Sequence, residues 1–286
     1  MIIFFDIFSL CPLRIVLSCG TMKSNQTYLL DLNNRTQEKI EAGETSLGLF
    51  LLSGNSMIAE TLSTLPIDWL MIDMEASPVT KEGVLHIMQA LNGSRVTPMI
   101  RVPWLDRHFI EHALDIGAHG VLVPKVETPT EAVQAVKACL YPPTGHRGIN
   151  PVRASAYFSN LPTYLEQAND RTMCMLQVES AKAVHRAGEL AAVPGVDVIF
   201  IGMGDLASTL GQPGDVTGQK MDEARHHVLK AVKQAGKIAG IFAYSIELAR
   251  QYAEEGFEFI AIGNEIKALR ESVLHSVEYM QRSNVT

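Results

Sequence analysis

Two carboxylates set the chemistry open to this chain. Glu179 closes the apolar run Met173–Val178, and Asp205 follows the apolar run Val196–Ile201. Between the runs, Ala181–Ala192 has helix-forming composition. A strand–helix–strand unit of this length makes its two strands parallel neighbours. Both acids then project from the same C-terminal edge of a sheet. Two oxygen ligands on one rim, with little else to neutralise them, suit a hard divalent cation such as Mg²⁺ or Mn²⁺. The competing reading is two unrelated strand-end acids, one of them capping the helix behind it.

The elements that must position these acids repeat. Apolar runs occupy residues 47–52, 68–73, 97–102, 120–124, 173–179, 196–202, 238–243 and 258–263, alternating with helical stretches. A long loop rich in Pro, Gly and Arg, Tyr141–Leu161, interrupts the rhythm once. The runs are continuous rather than alternating, the pattern of strands buried on both faces of a parallel sheet. Such β/α units, eight in about 240 residues, predict a closed (β/α)8 TIM barrel of the α/β class. An open doubly wound sheet is the competitor. No G-x-G-x-x-G turn follows the first strand, which removes that fold's commonest use, dinucleotide binding.

A barrel carries its functional side chains at the strand C-termini. The polar residues there are Asp73 and Glu75, Arg101, Lys125, Gln177 and Glu179, and Asp205. An arginine beside two candidate metal ligands can clamp a small carboxylate next to a cation, because a guanidinium grips carboxylate oxygens bidentately. No Ser-His-Asp or Cys-His pairing appears. Lys125 is the only strand-end lysine, and it lacks the apolar surroundings of a Schiff-base lysine.

Composition bounds the rest. The chain has 286 residues, 47% of them hydrophobic, and a net charge of −7. That is ample apolar material for a core. The acidic balance without a basic cluster argues against a nucleic-acid partner. No uncharged apolar run is long enough to span a membrane. The four cysteines, Cys11, Cys19, Cys139 and Cys174, show no ligand spacing, which fits a reducing, cytoplasmic setting. Residues 1–46 read as an N-terminal extension with a lead-in helix near Thr36–Ala42, ahead of a barrel over 47–286. Residues 1–21 are apolar but broken by Asp6 and Pro12, with no basic residue before Arg14. That is a poor secretory signal; a start at Met22 or a flexible tail is the expectation.

Six stretches in register carry a family resemblance: DWLMIDMEASP (Asp68–Pro78), MIRVPWLD (Met99–Asp106), HGVLVPKVET (His119–Thr128), YPPTGHRGIN (Tyr141–Asn150), QVES (Gln177–Ser180) and FIGMGDLASTLG (Phe200–Gly211). Across Leu47–Leu269 the chain resembles the metal-dependent class II pyruvate aldolases. These include 4-hydroxy-2-oxoheptanedioate and 2-dehydro-3-deoxyglucarate aldolases, with macrophomate synthase as a fungal relative. The resemblance implies that Glu179 and Asp205 hold the divalent metal, and that a 2-oxo acid chelates it through carboxylate and keto oxygens. It implies that Arg101 stabilises the enolate oxygen. Gln177 and the backbone at Gly202, Gly204 and Asp205 would orient the carboxylate or the metal waters. Asp73 and Asp115 would join the acid–base group around the family's catalytic histidine. It further implies a homo-oligomer, a hexamer built as a trimer of dimers, with the amphipathic helix Ile266–Gln281 packed on a neighbour.

The sequence departs from that pattern at the histidine. Where the family reads Asp-x-Glu-His, this chain reads Asp73-Met74-Glu75-Ala76. A general base is worth about 10²–10⁴ in rate. Its loss should weaken retro-aldol cleavage of a 4-hydroxy-2-oxo acid, which must deprotonate the 4-hydroxyl. Decarboxylation of oxaloacetate reaches the same pyruvate enolate without a base. The PAD-type tripeptide is also altered, to Met203-Gly204-Asp205. His108, His112 and His146 are the candidates to replace the lost imidazole. The expectation is a carbon–carbon lyase using Mg²⁺, Mn²⁺ or Co²⁺; the alternative is a barrel that binds 2-oxo acids with reduced turnover. Trp69, Trp104 and the methionines at 71, 99, 173 and 175 read as packing, and so does the loop residue Tyr157, with reach to a substrate as its alternative.

Overall fold

The computed structural model describes residues 33–283. The expectations for residues 1–32, including the start at Met22 and the thiols Cys11 and Cys19, lie outside them. The chain enters through a short helix, α1 (Arg35–Glu41), capped by Asn34, and then builds β/α units. The first four are β1 (Ser46–Leu51) with α2 (Ser56–Ser63), β2 (Trp69–Asp73) with α3 (Lys81–Ala90), β3 (Thr97–Arg101) with α4 (Arg107–Asp115), and β4 (Gly120–Val123) with α5 (Pro129–Cys139). A further helix, α6 (Leu161–Arg171), follows the long loop. Then come β5 (Met173–Val178) with α7 (Ala181–His185) and α8 (Ala187–Ala191), and β6 (Val198–Ile201) with α9 (Met203–Thr209) and α10 (Gln219–Gln234). The chain closes with β7 (Ile238–Phe242), α11 (Ile246–Glu255), β8 (Phe259–Asn264) and α12 (Glu265–Ser283).

All pairings are parallel, and β8 returns to β1, so the sheet is the closed barrel expected rather than an open one. Two details differ from the sequence reading. The stretch 181–192 is not one helix: Arg186 leaves the helical region (φ −103°, ψ 9°) and splits it into α7 and α8. The end of the long loop is helical, with Pro162 in the first turn of α6, where a missing N–H costs nothing.

Alternation within each strand decides what reaches the site. Cys174, Leu176 and Val178 face outward into the layer between strands and helices, while Met173 and Met175 face the barrel axis. The same parity carries Gln177 and Glu179 inward above the methionines. It does the same for Asp73 above Trp69 and Met71, and for Arg101 above Met99. The axis is filled, not hollow: Trp69 stacks on Phe259 at 4.1 Å and 6°, and Ile40 of α1 closes the bottom. Trp69 and the four methionines therefore pack as expected. Trp104 does not; it is 57% exposed, touching Phe109 edge-on.

At the bottom of the barrel, acids directly ahead of strands hold the strand starts. Asp68 accepts from the Leu47 N–H (2.7 Å) and pairs with Lys39 (2.9 Å). Asp197 accepts from the Cys174 N–H at 2.7 Å. Both occupy the position before an even-numbered strand and bind the second residue of the strand before it.

Candidate active site

The inward residues at the opposite end open into a cavity of about 480 Å³ at the C-terminal rim. Asp73, at the end of β2, is fully buried, and its Oδ1 accepts from the Glu75 and Ala76 N–H groups at 2.9 and 3.2 Å. Those bonds curl the chain back after β2 and aim Glu75 at the cavity. Asp73 also grips Arg101 bidentately, Nε–Oδ1 at 2.9 Å and Nη2–Oδ2 at 2.6 Å. The third nitrogen, Nη1, stays on the cavity side, 3.1 Å from Glu75 Oε2 and 3.4 Å from Gln177 Oε1. Phe50 lies beneath the guanidinium at 5.1 Å. Burial lowers the Arg101 pKa, but the Asp73 hydrogen bonds and the charges of Asp73, Glu75 and Glu179 outweigh it and raise it. The arginine is permanently charged and rotationally fixed.

Glu179 stands one residue beyond β5 and is 4% exposed. Gln177 donates to its Oε2 at 2.6 Å, and the Lys125 N–H donates to its Oε1 at 2.9 Å. Lys125 adopts φ +57° to present that N–H, a left-handed conformation that side chains other than glycine rarely take. Its ammonium reaches Glu75 Oε1 at 2.9 Å. Burial first, then the charges of Glu75 and Asp205, push the Glu179 carboxyl up to about 7, against the pull of the Lys125 N–H and Arg101. The two strand-end acids, Glu179 and Asp205, line the same cavity. Gly202 leaves room for the hydrogen-bonded Gln177 and Glu179 side chains: a Cβ there would lie 2.7 Å from Glu179 Oε2 and 2.6 Å from Gln177 Nε2.

Of the residues singled out in the sequence, Asp73, Glu75, Arg101, Lys125, Gln177, Glu179, Gly202, Gly204 and Asp205 all line this cavity. Asp115 does not. Helix α4 runs back antiparallel to β3 and delivers its last residue next to the start of β4, at the far end of the barrel. There Asp115 Oδ1 accepts from Arg147 Nη2 at 2.7 Å, with Tyr164 on the same nitrogen at 2.9 Å. Burial raises its pKa and Arg147 opposes the shift. Within one chain it cannot belong to the acid–base group at the rim. His108, His112 and His146 are absent from the cavity as well, so among the described residues no imidazole lines it. Lys125 is paired and 65% exposed, and Glu75 raises its pKa, the opposite of a Schiff-base amine.

The sequence reading missed Phe50, Leu52, Phe242, Tyr244 and Asn264, which also line the wall. Tyr244 was findable: it falls two residues past Phe242, in the inward parity of β7. Among the described residues no set of three or more His, Cys, Asp or Glu side chains is arranged to hold a metal. The donors available are two carboxylates, with room for further oxygens in the cavity.

A filled parallel barrel with two acids and a clamped arginine lining one cavity at its C-terminal rim defines an enzyme scaffold, and its relatives say which one. The sequence profile of the HpcH/HpaI aldolase/citrate lyase family matches residues 46–272. The chain belongs to that family, and its relatives are enzymes of the aldolase type. A hydroxypyruvate/pyruvate aldolase from Chromohalobacter salexigens is 37% identical over 236 residues, covering 82% of this chain and 93% of that one. A 4-hydroxy-2-oxo-heptane-1,7-dioate aldolase from Klebsiella pneumoniae is 36% identical over 233 residues, covering 81% and 88%. The crystal structure of a family member from Burkholderia cenocepacia superposes with a TM-score of 0.83 at 35% identity, covering 87% of this chain and 99% of that one. Macrophomate synthase shares the fold, with a TM-score of 0.78 at 24% identity, covering 87% of this chain and 89% of that one.

Proposed function

We propose that this protein is a divalent-metal-dependent carbon–carbon lyase that forms a pyruvate enolate from a small 2-oxo acid. The carrying observation is that Glu179 and Asp205 line the same cavity as an arginine immobilised by Asp73. A buried carboxylate crowded by the negative charge of Glu75 and Asp205, with a second acid lining the same cavity, is a fit for a hard cation. Bound there, Mg²⁺, or Mn²⁺ or Co²⁺, supplies Lewis acidity at the substrate's keto oxygen.

The chain's own groups do the rest. Gln177 holds Glu179 in place. The backbone of Gly202, Gly204 and Asp205 receives the 2-oxo acid's carboxylate. Arg101 turns Nη1 toward the keto oxygen and stabilises the charge that develops there, with no reorganisation, because Asp73 already fixes the fork. In oxaloacetate the C3–C4 bond breaks, CO₂ leaves, and the bond pair becomes the enolate, which takes a proton from water to give pyruvate. In a 4-hydroxy-2-oxo acid the same bond breaks only after the 4-hydroxyl loses its proton, and Ala76 provides no base for that. Oxaloacetate decarboxylation is therefore the favoured turnover, with aldol cleavage impaired.

The test is to follow both reactions side by side, with and without EDTA. Pyruvate release from oxaloacetate that stops on chelation supports the reading; rates indifferent to chelation sink it. The imidazole-free cavity also favours a second reading, a barrel that binds 2-oxo acids with little turnover. Metal-dependent pyruvate binding without product would establish it.

Two further features complete the proposal. Helix α12 carries exposed Ile266, Leu269, Val273 and Val277 along one face, at the spacing of a packed stripe. We assign it to a homo-oligomer, a hexamer in solution, checked by light scattering. Cys139 and Cys174 are free and buried, which fits a reducing, cytoplasmic location; among the described residues no helix is long and apolar enough to cross a membrane.

A further inference from the structure

We infer that the Tyr244 hydroxyl is a substrate contact, donating a hydrogen bond to the carboxylate of the bound 2-oxo acid, and that Gly204 is the residue that makes room for it. The inference rests on the lyase reading above and adds a residue that neither the family pattern nor the strand-end acids point to.

Tyr244 leaves β7 in the inward parity and leans on Phe242, ring centroids 5.0 Å apart. Its backbone is tethered, the carbonyl accepting from Lys267 Nζ at 2.5 Å. Ring contact and tether together swing the phenol across the rim onto the α9 side of the cavity. There a Cβ on Gly204 would stand 2.9 Å from the Tyr244 oxygen, closer than such atoms approach. The hydroxyl and any larger residue at 204 compete for the same space. Gly204 is also a departure from the PAD-type tripeptide, and the missing Cβ is what leaves the phenol its space.

The hydroxyl makes no hydrogen bond to another described residue. Its charged neighbours are Asp205, on α9, and Arg101, on β3; burial and Asp205 raise its pKa while Arg101 opposes. The phenol stays protonated and faces the cavity as a donor. The backbone it overhangs, Gly204–Asp205, is where the substrate carboxylate is received. A neutral donor there adds a directional bond without adding charge.

The experiment uses the full-length protein with Mg²⁺ and pyruvate as the probe. Tyr244→Phe should weaken pyruvate binding in calorimetry about tenfold, the loss expected for one hydrogen bond to a charged acceptor. The KM for oxaloacetate should rise by a similar factor with kcat within about twofold, the mark of a bond made equally to substrate and transition state. Gly204→Ala should give the same loss by displacing the hydroxyl. The double variant should be no worse than Tyr244→Phe alone. A Tyr244→Phe protein that binds pyruvate within about twofold of wild type overturns the inference while leaving the lyase reading standing. Losses that multiply in the double variant overturn the coupling to Gly204 and with it the inference. Wild-type protein that binds no pyruvate with Mg²⁺ overturns both.

Discussion

The two ends of this barrel use the same chemical group, a buried carboxylate, for opposite purposes. At the bottom, Asp197 precedes a strand and gives its carboxylate to a backbone N–H of the neighbouring strand, 2.7 Å away. At the top, Glu179 follows a strand and faces an open cavity. Burial is the first cause of a raised pKa in both, to about 6 for Asp197 and about 7 for Glu179. A perturbed carboxylate is therefore not by itself the mark of a functional group here. What separates them is the company: Lys237 and a backbone donor ease Asp197, whereas Glu75 and Asp205 add negative charge against Glu179. One acid belongs to the architecture. The other sits in a repulsion that a cation would relieve.

That contrast can be broken at several strengths. Glu179→Gln or Asp205→Asn should cut metal-dependent pyruvate release by about a thousandfold, since several kcal/mol of Lewis-acid stabilisation go with the ion. Neither should lower the melting temperature, because each removes a like-charge contact. A loss of stability larger than the loss of activity would place these acids with the bottom set. Next in size, Ala76→His should raise cleavage of a 4-hydroxy-2-oxo acid by about 10²-fold or more and leave oxaloacetate decarboxylation within about threefold. An unchanged aldol rate would mean the missing imidazole is not the limiting part.

At the bottom the expected effects fall on stability. Asp68→Ala removes the Lys39 pair and the acceptor for the Leu47 N–H, and should cost about 1–3 kcal/mol in urea unfolding with activity retained. The smallest effect is in the pH dependence. For both Asp197 and Glu179 the folded pKa lies above the unfolded value, so the folded state holds a proton that the unfolded state has released. Stability from each is full below about pH 4 and is lost as pH rises through about 6 for Asp197 and about 7 for Glu179. Asp197→Asn should remove about 1–2 kcal/mol of that loss, with or without Mg²⁺. Saturating Mg²⁺ should remove the Glu179 share only. If Mg²⁺ flattens the profile of Glu179→Gln as much as that of wild type, the ion binds elsewhere.

Much of this molecule was legible in one dimension. The eight apolar runs, the acids and arginine at their C-terminal ends, and the Ala76 substitution are all local facts. Strand period and burial on both faces follow from residue type alone, and parallel connection puts every strand end on one rim. Even the fate of Asp197 had a trace, an acid placed before a strand rather than after it. Other features depended on residues far apart in the chain. Asp115, which the family resemblance groups with Asp73, lies within this chain at the opposite end of the barrel, because helix direction, not sequence distance, sets which rim a residue joins. The break at Arg186, the exposure of Trp104 and the contest between Gly204 and Tyr244 carry no local signal. Each depends on what a neighbouring element leaves vacant, and steric room exists only after the chain has closed on itself.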